Sequence, residues 1–222
     1  MGDQRLSKIE EPLRAARACR DIVCRAFRER KSTGLRASLV GAYLDTVTEH
    51  HRAIDLLIGN GLYGSAFALA RPLYDTALRG LWVTMCATDD QVERLCRSDE
   101  HDRVMPRGNE LRALLDAAYK TGSFFQDGRA EWQALGSYTH SGLLQLGRRG
   151  LMGVRQDGYS AWSMVQVIDL CTVWLVLLAK MFFRLAGGNE WALVVQFLHN
   201  LYVDKESTPM LYALAQGATR NG

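Results

Sequence analysis

The sequence predicts an all-α protein, a single-domain helical bundle spanning residues 1–222. Three observations carry this. Apolar residues recur at three- and four-residue spacing through most of the chain, as a helix of ~3.6 residues per turn requires for a buried face. No segment alternates apolar and polar residues as a half-buried strand does, and no internal repeat is visible. A long apolar stretch near the C-terminal third, Tyr159 to Leu185, is hydrophobic on nearly every side and fits the central, buried helix of a bundle.

Residues 5–31 read as a basic helix with a thin apolar stripe of Leu6, Ile9, Leu13, Ala16, Ile22, Val23 and Phe27. Ser32-Thr33-Gly34 ends it. The core bundle is expected over 36–186. Its first helix, 36–58, keeps Val40, Tyr43, Leu44, Val47, His51, Ile54 and Ile58 in register, and Gly59-Asn60-Gly61 stops it with residues suited to a left-handed cap. So short a connection makes the next helix, Leu62 to Ala87, run back antiparallel. Pro72 lies inside it, and its missing N–H predicts a kink or division near Leu69–Arg71. Thr88-Asp89-Asp90 signals the start of a short helix, Gln91–Arg97.

Residues 98–108 read as a loop, and Asn109 to Tyr119 resumes helical spacing. Thr121 to Gly128 is a second loop, with Phe124-Phe125 expected at the surface. In Trp132 to Arg149 the glycines at 136, 142 and 147 predict two short helical pieces meeting near Thr139–Gly142. Gly187-Gly188 closes the apolar helix, and residues 189–216 give C-terminal helices.

Composition bounds the function. With 48% hydrophobic and 23% charged residues the chain has the make-up of a soluble globular protein. The net charge of +3 is too small to imply a nucleic-acid binder by itself. Residues 1–36 nevertheless hold ten Lys or Arg against five Asp or Glu, which makes the N-terminal segment a basic arm. The five cysteines are odd in number, scattered and without a C-x-x-C pair, which points to a reducing compartment and away from zinc or a disulfide framework. Residues 1–36 lack the apolar core of a secretory signal, so none is expected, and the apolar run Leu170 to Ala179 is short of the ~20 residues that span a bilayer. A cytoplasmic protein without membrane association is expected. Dinucleotide, Walker, H-E-x-x-H and G-x-S-x-G signatures are all missing, and no cofactor or metal is expected.

Two windows gather the chemistry. In Ala70 to Trp82 (ARPLYDTALRGLW), Arg71, Asp75, Arg79 and Trp82 fall within an arc of roughly 80° on a helix. They can form one ion-paired row, and a row that mixes arginines with Trp implies partial burial, where unpaired charge is expensive. In Trp132 to Arg149 (WQALGSYTHSGLLQLGRR), His140 stands beside Tyr138, Thr139 and Ser141 and is followed by Gln145, Arg148 and Arg149. A histidine of pKa ~6.5 can act as general base near neutral pH, and arginines hold phosphate. The same residues read equally as a helix-capping cluster with His140 hydrogen-bonded to Asp75 or Asp169. Asp169, on the apolar helix, is expected to be buried and paired with an arginine. His50, His51 and His199 are read as structural, because no further ligand lies at metal spacing.

ALARPLYDTALRGLW followed by W-x5-Y-T-H-S-G-x2-Q-x2-R-R resembles a family of uncharacterised, all-helical bacterial proteins. In that family a helix with Arg, an acid and R-G-x-W precedes a Y-T-H-x-G segment. The likeness runs roughly from Gly61 to Leu185. The family in turn resembles HEPN-type helical bundles of abortive-infection proteins and toxin–antitoxin RNases. That resemblance implies a HEPN-like homodimer that binds or cleaves RNA without a metal, in phage defence or with a cognate antitoxin or other defence-system partner. On that reading His140 takes the 2′-hydroxyl proton while Arg148, Arg71 or Arg79 stabilise phosphate charge and Asp75 orients the arginines. Tyr138, Ser141, Gln145, Arg149 and Trp82 would contact the substrate, and the basic arm would add affinity of any sequence. The residues alone also allow a non-catalytic helical binding or regulatory protein whose polar cluster is structural or holds a small anion.

Overall fold

The computed structural model describes residues 4–30, 34–97, 101–120, 122–140, 142, 146 and 158–187. Among them helices alternate with turns and short connections, and there is no strand. The basic arm is helix α1, Gln4–Glu29, and the next two helices are α2, Leu35–Gly59, and α3, Tyr63–Met85. Four short elements follow: α4, Asp89–Leu95; α5, His101–Val104; α6, Gly108–Tyr119; and α7, Phe124–Asp127. Helix α8 is Arg129–Thr139 and the apolar helix α9 is Ala161–Leu185. The C-terminal helices expected over 189–216 lie outside the described residues.

Helix α9 is the buried centre that its composition predicts. It packs against α1, α2 and α3, and its Met164, Ile168, Leu175, Leu178 and Phe182 are all buried. Among the described residues it alone is long and apolar enough to cross a bilayer, with mean hydropathy 1.8 over its best window, and 72% of that window is packed inside the bundle. Gly80 brings α3 close to α9, since a Cβ there would meet Leu178 Cδ1 at 2.6 Å.

Helices α2 and α3 form the expected antiparallel hairpin. Gly61, with φ +74°, makes the left-handed turn between them, and the Leu62 amide donates to the Leu57 carbonyl at 2.8 Å. Along α1 the stripe Ile9, Leu13, Ala16, Cys19 and Val23 is buried. Beside that stripe Arg17 and Arg20 both reach the buried Asp55 of α2, with Arg17 Nε 2.8 Å and Arg20 Nη1 3.1 Å from its carboxylate. Part of the basic arm is thus spent on docking α1.

Three local expectations are corrected. Pro72 does not divide α3: the helix continues from Tyr63 to Met85. Pro72 has no N–H to offer the carbonyl of Ala68, and the Thr139 hydroxyl of α8 lies 3.2 Å from it and equally 3.2 Å from the Leu135 carbonyl, so its one proton is shared between the two acceptors. The loop expected at 121–128 contains α7, and Phe125 is buried at 3% exposure rather than at the surface. Its start is held from a distance, because the Asp116 carboxylate accepts from the amides of Phe125 (2.9 Å) and Gln126 (3.1 Å). In 98–108, the short helix α5 is followed by a buried Met105, where only a polar loop was expected. The capping signal at Thr88 does form a reciprocal box with Gln91, and α4 starts there at Asp89.

Candidate functional site: an arginine cleft

The two chemistry-bearing windows meet, because α8 packs on α3. The meeting point is a cleft of about 330 Å³. Helix α3 lines it with Arg71, Asp75, Leu78 and Arg79, one face as the four-residue spacing requires. Helix α8 contributes Trp132, α6 contributes Leu111 and Arg112, and the turn Met105, Pro106, Arg107 and Gly108 forms the remaining wall.

Trp132 is the hub. Its indole N–H donates to Asp75 Oδ1 at 2.7 Å. Arg71 lies over the ring with its guanidinium carbon 4.0 Å from the centroid, and the Arg112 guanidinium carbon is 4.9 Å from the same ring. Arg71 Nε is 3.6 Å from Asp75 Oδ2, so one carboxylate orients both the indole and an arginine. Gly136 makes room for this arrangement. A Cβ at 136 would collide with Arg71 Nη1, so the glycine one turn after Trp132 lets the guanidinium lie along α8.

Arg112 is the unusual member. It is 2% exposed, and neither its Nε nor its Nη2 has a hydrogen-bond partner among the described residues. The carboxylate one turn on, Asp116, is turned to the backbone of α7. Stacking on Trp132 and, at 5.8 Å, on Tyr74 returns part of the desolvation cost. A buried cation with unpartnered donors still costs several kcal/mol, roughly, against about 1–2 kcal/mol for such stacking. The lining includes Gly108, the first residue of α6, whose leading amides precede the helix's own hydrogen-bond ladder. The whole is a recess lined by four arginines, Arg71, Arg79, Arg107 and Arg112, and one carboxylate, Asp75.

The structure distributes the sequence-predicted residues unevenly. Arg71, Asp75 and Arg79 come together in the cleft. Trp82, on the same row of α3, is 2% exposed in the core and does not line it. Tyr138 is 4% exposed, with its ring packed on Phe67 (5.0 Å) and Tyr159 (6.3 Å), so no face is open to a base. His140 caps the C-terminal end of α8 and is exposed. It stands eight residues beyond Trp132, about 12 Å along the axis at ~1.5 Å per residue. Ser141, Gln145, Arg148 and Arg149 lie outside the described residues. The expected break near Thr139–Gly142 falls where α8 ends, at Thr139.

Sequence reading missed Arg112 and Arg107 and did not see that Trp132 belongs with Asp75. A signal for Arg112 exists: it shares the i, i+3, i+7 face of α6 with Leu115 and Tyr119, an apolar stripe in which an arginine is out of place. Among the described residues no group of His, Cys, Asp and Glu could hold a metal. His51, read as structural, is buried on α2 with its Nε2 3.1 Å from Thr172 Oγ1 of α9. The Thr172 hydroxyl already donates to Ile168, so the imidazole donates from Nε2. Burial, and secondarily the charge of Arg20, push its pKa down to about 4.

Fold and site together define a class: an all-α bundle with an arginine-lined cleft built across α3, α6 and α8. Residues 44–206 match a family of unknown function, DUF6988, and the chain belongs to that family. The matched span contains every residue that lines the cleft. No curated protein and no solved structure matches the chain.

Proposed function

We propose that this protein is a helical anion-binding module that takes a phosphate-bearing ligand in the arginine cleft. The observation that carries this reading is Arg112, a buried guanidinium on the cleft lining whose Nε and Nη2 have no hydrogen-bond partner among the described residues. An anion entering the cleft gives that charge its counter-ion, with Arg71 and Arg79 at its sides. Asp75 is occupied by Trp132 and Arg71 and acts by holding them in place. The lining residues include no hydroxyl, thiol or imidazole, which favours binding over turnover within the cleft. The test is calorimetric titration of the full chain with inorganic phosphate and, separately, with glycerol. Saturable binding of phosphate that weakens with added salt supports the reading, and equal indifference to both solutes overturns it.

A second reading keeps the RNA chemistry that the HEPN-like resemblance implies. The exposure of His140 at the end of α8, on the same helix as Trp132, favours it. A strand anchored by phosphate in the cleft would run along α8, and His140 would take a 2′-hydroxyl proton beyond the cleft. Such a protein would act as a cytoplasmic homodimer with an antitoxin or defence-system partner. Incubation of wild type and His140→Ala with a mixed RNA pool, without added metal, tests this. Cleavage to 2′,3′-cyclic phosphate ends by wild type alone supports it; identical behaviour of the two proteins removes His140 from the chemistry.

A further inference from the structure

We infer that the cleft selects phosphomonoesters over phosphodiesters: its ligand is a dianionic end-phosphate, carried by a small organic phosphate or by the terminus of a nucleic-acid strand. This rests on the anion-binding reading and deepens it. Three features of the cleft point the same way.

The first is charge. Arg71, Arg79, Arg107 and Arg112 line the cleft against one carboxylate, Asp75, which is already bonded to the Trp132 indole and lies beside Arg71 Nε. An incoming diester brings a single negative charge. A monoester brings about −1.5 to −2 at neutral pH, together with a third unesterified oxygen to accept from the guanidinium groups. Where several cations share one recess, the second charge and the third acceptor are the parts that a diester lacks.

The second is depth. Arg112, whose Nε and Nη2 have no hydrogen-bond partner among the described residues, lines the cleft at only 2% exposure. A diester inside a strand has organic groups leaving on two sides, and both would have to enter the cleft for its phosphate to reach that guanidinium. An end-phosphate descends with its bare oxygens leading and one ester trailing. The third is size and lining. About 330 Å³ is at the lower end of the range typical of small-molecule sites. Leu78, Met105, Pro106 and Leu111 give an apolar wall for the single organic group that follows the phosphate.

The full-length protein would be titrated calorimetrically with phenyl phosphate and with its methyl ester, a pair that differs by one esterified oxygen. Two further arms use one RNA oligonucleotide, with a 5′-phosphate and with a 5′-hydroxyl. The monoester is expected to bind at least about tenfold more tightly than the diester, about 1.4 kcal/mol. Arg112→Met is expected to erase that preference, and Arg79→Gln, at a half-buried position on the wall, to reduce it. The second variant keeps the test informative should the first fold poorly. A preference for the 5′-phosphorylated strand over the 5′-hydroxyl strand assigns the ligand to strand ends. Indifference between the strands, with the phenyl phosphate preference intact, assigns it to small phosphates; either supports the inference. Equal affinity for phenyl phosphate and its methyl ester overturns the inference and leaves the anion-binding reading standing. Absence of binding to every phosphate, by protein of undiminished helical circular dichroism, removes both.

Discussion

At the scale of single residues, the cleft is held by positions whose replacement separates stability from binding. Gly136→Ala would place a methyl group against Arg71 Nη1, the far end of a flexible side chain. The guanidinium can swing away, so folding should lose little, within about 1 kcal/mol, while Arg71 leaves the face of Trp132. Phosphate affinity should therefore fall with melting temperature nearly unchanged. A variant with full affinity would show that the Arg71–Trp132 stack does not shape the site. His51 gives a second residue-scale prediction. Its pKa is about 4 in the fold against about 6.5 unfolded, so the unfolded state binds more protons between those values. The stabilisation is complete above about pH 6.5 and is lost as pH falls to about 4, by roughly 3 kcal/mol. His51→Leu should flatten urea-denaturation stability across that window, and an unchanged slope would place the proton uptake elsewhere.

At the scale of elements, the unbroken α3 depends on a donor from α8. Thr139 supplies the Ala68 carbonyl with the hydrogen bond that Pro72 withholds. Thr139→Val should cost about 1 kcal/mol in the native background. In Pro72→Ala, whose restored N–H reaches the same carbonyl, the cost should shrink to what the bond to the Leu135 carbonyl supplies, and the coupling appears in a double-mutant cycle. Additive effects would contradict this pairing. The dependence also marks the limit of sequence reading here. The periodicity of α2, α3 and α9 is local and legible, because each helix writes its buried stripe into its own three- and four-residue spacing. The continuity of α3 through Pro72 and the start of α7 on Asp116 depend on partners supplied by another element, and spacing within one segment carries no trace of them. The cleft divides in the same way. Arg71, Asp75 and Arg79 are legible as a ladder on one helix, while Arg112 and Trp132 join them only through the packing of α6 and α8 on α3.

At the scale of the whole molecule, one hydrophobic cluster runs from Ile9 of α1 to Phe183 of α9, and Asp55 ties α1 to α2 at its edge. Burial pushes the Asp55 carboxyl up, but hydrogen bonds from Arg17 and Arg20 outweigh that and hold it below the ordinary carboxylate range. The stabilisation this provides is present above the unfolded carboxylate pKa, about 3.9, and is lost as pH falls through the lower folded value. Asp55→Asn leaves the half-buried Arg20 with only the longer contact to the exposed Asp21, 3.6 Å, and should destabilise by about 3 kcal/mol. Limited proteolysis should then cut α1 first, and simultaneous loss of every helix would mean that α1 docking does not depend on this contact.

Anion binding in the cleft is tested at Arg112, by Arg112→Met. Melting temperatures of wild type and variant would be measured in the absence and presence of millimolar phosphate. Without ligand, removal of an uncompensated buried cation should raise stability by about 1–2 kcal/mol, the desolvation relieved exceeding the stacking lost. With phosphate, wild type should gain stability by mass action while the variant stays where it was. A variant less stable than wild type in both conditions, together with a wild type that phosphate leaves unmoved, would make Arg112 a structural residue and contradict the anion-binding account.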